Sequence, residues 1–161
     1  MQKENLSKSL ANRLREVYTE GKWVTGTNVK EQIMNTSWQD AVKSIHGLNS
    51  IAALTFHLHY YIAGVTQVLE GGTLDIKDKY SFDAPPITSE QDWKDRIDLY
   101  NNSIMKFISL VENMSEAQLF ENFVLEKYGT YHRNIDVQIE HAYYHLGQIL
   151  LIKKMIGNSE S

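Results

Sequence analysis

The chain has 161 residues, a mass of 18.6 kDa and a formal charge of −4, with 42% hydrophobic and 22% charged residues. That is enough for one domain with one sizeable core, spanning 1–161, and it argues against disorder. The acidic balance, pI near 5.8, is wrong for gripping a polyanion, so nucleic acid is disfavoured as a partner. There is no cysteine, which excludes disulfides, thiolate metal sites and a cysteine nucleophile. A site for a transition metal must use the six histidines and the carboxylates.

The segment from Met1 to Lys8 has no apolar leader pattern, and the most apolar stretch, Ile51 to Val68, carries His57, His59, Tyr60, Tyr61 and Gln67. A cytoplasmic protein with no membrane partner is expected.

Four long helices are expected. The first runs from Asn5 to Glu20, with Leu6, Leu10, Leu14 and Val17 on one stripe and Gly21 closing it. From Lys22 to Gly47 the pattern is broken; Trp23, Val24, Ile33 and Met34 are expected inside, and Ser37 with Asp40 caps short turns around Trp38 to Ile45. The second helix starts at the N-cap Asn49 and reaches Glu70, where Gly71-Gly72 stops it. Its stripe is Leu54, His57, Tyr61, Gly64 and Val68.

Thr73 to Thr88 holds Pro85-Pro86 and reads as a structured loop; its carboxylates lack calcium-loop spacing. Ser89 caps the third helix, Glu90 to Glu112, and Ser115 with Gln118 opens a short turn. Phe120 to Arg133 is irregular, with room for a hairpin between Phe123 and Tyr131. The fourth helix runs from Asn134 to Ile156, ended by Gly157, and Lys153-Lys154 is read as its solvated, dipole-favourable end. The fold class is all-α, a four-helix bundle with long irregular connections.

His141 and His145 lie four apart on the fourth helix, so both imidazoles share one face. Six histidines placed at random in 161 positions give about 0.2 such pairs, so the spacing alone is suggestive and not proof. Metal chelation and hydrogen bonding within the core both fit it. Ala142 stands where the zinc proteases' His-Glu-x-x-His motif needs its glutamate, which rejects that class.

A catalytic zinc takes three protein ligands and an open position. Helical phase points His57 inward and sets His59 about 200° away, outward or at an edge. His46 precedes the helix and His132 sits in a loop; neither is assigned a role. Three inward histidines are hard to explain as packing, because each buried imidazole needs polar partners. Gln148 can support a ligand, bind substrate or cap a buried group. Tyr61 and Tyr144 can line a pocket or simply pack.

The stretches Ile51-Ala52-Ala53-Leu54-Thr55-Phe56-His57 and Ile139-Glu140-His141-Ala142-Tyr143-Tyr144-His145-Leu146-Gly147-Gln148-Ile149 resemble the DinB-like (YfiT-like) family of bacterial metal proteins. The resemblance covers nearly the whole chain in helix order. It implies a four-helix bundle, often a homodimer, with a divalent metal held by His57, His141 and His145. It also implies kinship with thiol-dependent S-transferases and a thiol-dependent isomerase. The metal expected is Zn or Ni, the accompanying cofactor a low-molecular-weight thiol, and the reaction metal-dependent transfer or hydrolysis on an unidentified small molecule. The competing expectation is a metal-stabilised dimeric bundle without catalysis, acting in binding or stress response.

Overall fold

The computed structural model describes residues 5–159, with side chains to 157; the reading of Met1 to Glu4 lies outside them. Among the described residues the chain is all-helical. Seven α-helices follow in order: α1 Leu6–Tyr18, α2 Val29–Met34, α3 Trp38–Ala41, α4 Ile51–Leu69, α5 Glu90–Glu112, α6 Glu116–Leu119 and α7 Tyr131–Ser159. No helix is long and apolar enough to cross a membrane.

The long helices touch in a ring, α1 against α5, α5 against α4, α4 against α7 and α7 against α1. Leu10 and Leu14 of α1, Leu58 and Ile62 of α4, Ile104 and Phe107 of α5, and Leu146 and Ile149 of α7 share one core. Burying each such side chain stabilises by ~1.5–3 kcal/mol. Arg96 reaches the Ala52 carbonyl at 3.4 Å, and Lys106 pairs with Glu70 at 2.7 Å. Helices α4 and α5 therefore run parallel, and residues 70–89 must carry the chain back along their length. Helix α7 runs antiparallel to α4.

Local chemistry sets the boundaries. Ser50, not Asn49, caps α4, its Oγ accepting from the Ala53 N–H at 3.2 Å. Gly71 ends it with φ +86°, and the Gly72 N–H returns to the Gln67 carbonyl at 2.9 Å. Ser37, Ser89 and Ser115 cap their helices as expected. Helix α7 starts three residues before Asn134, because Thr130 Oγ accepts from the Arg133 N–H at 3.2 Å and so caps an earlier turn. It also passes through Gly157. Between Phe123 and Tyr131 there is no hairpin of strands: a single bridge, Asn122 to Thr130, closes a loop around a 3₁₀ turn.

Three residues expected inside are outside. Trp23 is 91% exposed, and Val24 and Met34 are exposed too. The six-residue α2 buries one face, and Val29 and Ile33, four apart, occupy it. Lys153 is not a free solvated end: its Nζ donates to the Gln32 carbonyl at 3.1 Å and to Gln32 Oε1 at 2.9 Å, tying α7 to α2.

Gly64 lies where the returning loop meets α4. A Cβ there would stand 2.5 Å from Ile76 Cγ2 and 2.7 Å from its Cδ1. Gly147, in α7, has nothing within 4 Å of such a Cβ. Gly147→Ala is expected to stabilise by up to about 1 kcal/mol through helix propensity. Gly64→Ala is expected to destabilise by about 1–3 kcal/mol, as overpacking outweighs that gain. Urea denaturation of both variants checks the opposite signs.

Candidate metal centre

His57 comes from the middle of α4, and His141 and His145 from one face of α7. His141 Nε2 lies 3.1 Å from His57 Nε2 and 2.8 Å from His145 Nε2. One donor atom from each of the three falls within 4.8 Å of the others. His57 and His145 are buried and His141 is half-buried.

Their other ring nitrogens fix the tautomers. The Ser81 carbonyl sits 3.2 Å from His57 Nδ1 and can only accept, so Nδ1 carries the proton. Gln148 Oε1 sits 2.6 Å from His145 Nδ1 and plays the same part. Both Nε2 atoms therefore present bare lone pairs to His141. A proton on His141 Nε2 can serve one of these two contacts and leaves the other unmatched. A cation serves all three. Zinc–nitrogen bonds of about 2.0–2.1 Å in tetrahedral geometry separate ligand nitrogens by about 3.3 Å, a few tenths beyond the two short spacings. The donor set fits a divalent metal, and the three histidines can hold one.

Burial lowers the basicity of all three imidazoles. It is the largest cause at His57, followed by the nearby His145. At His145 burial again dominates, partly offset by the Gln148 hydrogen bond. At His141 burial, then His145 and His57, push the pKa down to about 4. All three are neutral at pH 7, the form that ligates.

The returning loop closes one side. Phe82 stacks on His57 with ring centroids 4.1 Å apart. Tyr61, one turn after His57, lays its ring edge-on to His57 and His141 at 5.0 and 5.3 Å, and its hydroxyl donates to Asp78 Oδ1 at 2.9 Å. Next to the histidines is an open cleft of about 270 Å³ lined by His57, Tyr61, Val137, Gln138 and His141.

Helical phase thus brings together the three histidines it selected. His59 stays apart at the edge of the bundle: it is half-buried, its Nδ1 has no partner among the described residues, and its basicity is lowered by burial and then by Arg96. His46 is exposed. His132 pairs with Asp136 at 3.5 Å and stacks on Phe120. Tyr144 packs beside His145 and is 64% exposed. Sequence reasoning missed Ser81, Phe82 and Gln138. Only Gln138 carried a signal, lying three residues before His141 on the same helical face.

Residues 5–161 match the model of a family described as "Protein of unknown function (DUF1572)". The chain belongs to the DUF1572 family. No curated protein and no solved structure matches it.

The histidines of this DUF1572 chain make its stability depend on pH when no metal is bound. The unfolded chain takes up protons below its ordinary histidine value of 6.5, while folded His141 resists them until about 4. Stability therefore rises with pH across that window. The metal-stripped protein is expected to lose thermal stability as pH falls from 6.5 to 4. His141→Asn should flatten the dependence, read as Tm against pH.

Proposed function

We propose that the protein is a metal-dependent enzyme on a DinB-like four-helix bundle, with one Zn or Ni ion held by His57, His141 and His145. The convergence of three neutral imidazole Nε2 atoms supports this above all. The bound metal would supply Lewis acidity, lowering the pKa of a water or a thiol in the open position. The chain's own part is to keep the His57 and His145 Nε2 atoms bare and aimed at His141. Ser81 and Gln148 do this by accepting the opposite N–H protons, and Phe82 by covering one ring. The cleft beside His57 and His141 is where a small substrate enters.

The reaction class is S-transfer or hydrolysis. Since the chain has no cysteine, sulfur for a transfer must arrive with a low-molecular-weight thiol, and a cytoplasmic setting supplies reduced thiols. A homodimer belongs to the same reading, and neither nucleic acid nor a membrane is needed. The dimer's support is Tyr144, apolar and exposed on α7. Tyr144→Glu is expected to shift the protein to monomer in sedimentation equilibrium; an unchanged mass removes the α7 face from the dimer.

One observation favours a second reading, a metal-stabilised protein without catalysis. Among the described residues no carboxylate near the histidines stands ready as a general base. Asp78 accepts from Tyr61, and Glu140 is held outside by Arg133 at 3.0 Å. Metal analysis on untagged protein tests what both readings share. One equivalent is expected in the native chain and none in the His57→Ala, His141→Ala double variant; stoichiometric metal in that variant defeats both. Chelation should lower stability by about 2.7 kcal/mol relative to protein in metal at a hundred times its Kd. Turnover of a thiol–electrophile pair or an activated ester selects the enzyme. Metal-dependent stability with neither turnover selects the second reading.

A further inference from the structure

Gln148 has a second face. Its Oε1 is committed to the His145 N–H, which leaves the amide nitrogen with its two N–H donors directed elsewhere. Among the described residues that nitrogen has no hydrogen-bond partner, and it is not sealed in the core. Gln148 also lines a pocket of about 290 Å³ between α7 and the turn before α4, distinct from the cleft at His57 and His141. The rest of the lining includes Leu48, Asn49, Leu54, Leu151 and Ile152, and no lining side chain carries a charge.

This pocket is built and left uncovered. His46 and Gly47 are consecutive residues with φ +50° and +76°, a costly conformation for the histidine. The turn is pinned by the Leu48 N–H on the Ile45 carbonyl at 2.9 Å and by Ser44 Oγ donating to the Leu48 carbonyl at 2.7 Å. Leu48 and Leu151 are 43% and 55% exposed. The volume sits near the lower end of the ~300–1,000 Å³ of small-molecule sites. The leucine and isoleucine walls favour an alkyl body, and no lining side chain offers a counter-charge to an ion. The free N–H donors of Gln148 call for an acceptor, and a ligand offering only donors would meet them donor to donor.

We propose that this pocket binds the neutral, apolar part of a small-molecule ligand, an aliphatic chain bearing a carbonyl or ether oxygen that accepts from Gln148 Nε2. The same amide then touches the ligand on one side and His145 on the other, so occupancy is felt at the histidine cluster. Only this last link rests on the metal reading; the pocket stands without it.

The test is a titration of the full chain with 2-heptanone, an acceptor without donors, and with hexylammonium, a donor without acceptors. Methyl NMR shifts of Leu48, Leu54, Leu151 and Ile152 report binding, and the His145 ring signals report the link. The ketone is expected to bind about tenfold more tightly than the ammonium ion. Gln148→Glu keeps an acceptor for His145 but replaces the free donors by a carboxylate oxygen, so it should reverse that preference. Leu151→Arg, at an exposed position, should abolish ketone shifts in a chain that still folds. No methyl shifts at the ketone's solubility limit, or shifts that ignore both substitutions, overturn the proposal. Running the titration on metal-stripped and zinc-loaded protein separates the two ideas. Ketone binding in a chain that takes up no metal defeats the metal reading alone, and zinc uptake without ketone binding defeats the pocket alone. Ketone binding that leaves the His145 signals unmoved overturns the link.

Discussion

Three neutral imidazoles, two of them turning bare nitrogens toward the third, are the constraint around which this molecule is arranged. Lone pairs do not attract, and half-buried polar atoms without partners cost free energy. Here the protein adds to that cost. The Ser81 carbonyl and Gln148 Oε1 draw the only mobile protons of His57 and His145 to the far side of each ring. Were packing the purpose, either histidine would gain by turning its N–H inward to His141. The two acceptors maintain the unfavourable inward arrangement, which becomes favourable when a cation enters.

Much else in the fold serves that arrangement. Helices α4 and α5 are parallel, so the chain between them must return along the molecule, and the returning loop supplies Ser81 and Phe82. Tyr60 fastens the loop to α4, its hydroxyl donating to the Lys77 carbonyl at 3.0 Å and accepting from the Lys77 N–H at 2.9 Å. Tyr61 and Asp78 add a second tie beside the histidines. Gly64 lets Ile76 come close enough for the loop to lie flat. A crossover imposed by topology thus doubles as the wall that orients one imidazole.

The legible part of this was the part with a period. His57 fell on the stripe of Leu54 and Tyr61, and the four-residue spacing of His141 and His145 needed only the geometry of a helix. The serine caps were legible because one side-chain oxygen answers one backbone N–H three residues on. Trp23, Val24 and Met34 misled because apolar residues go inside only when a face is available, and the short α2 has one face, taken by Val29 and Ile33. Asn49 and Ser50 are both good caps, and only the packing of α4 chose between them. The role of Ser81 left no trace, because a backbone carbonyl is the same in every residue. His59 shows the limit of helical phase alone. An angle of about 200° from His57 leads away from α7 to a half-buried edge within electrostatic reach of Arg96 of α5, a neighbour that the phase of α4 alone does not name.

The donor set also bears on what would complete the site. Three imidazoles bring no charge, so a divalent ion among them would keep its full double charge in surroundings that burial has made poorly solvating. A carboxylate ligand would cancel part of it, but Asp78, the acidic group felt at His57, is occupied by the Tyr61 hydroxyl. A metal held there would favour an anion in its open position, the preference of a Lewis acid among uncharged ligands. That preference joins two features that otherwise look unrelated, the absence of any cysteine and the clustering of uncharged ligands. A chain with its own thiolate beside these histidines would neutralise and fill the position itself. A chain without one leaves it to the molecule that arrives.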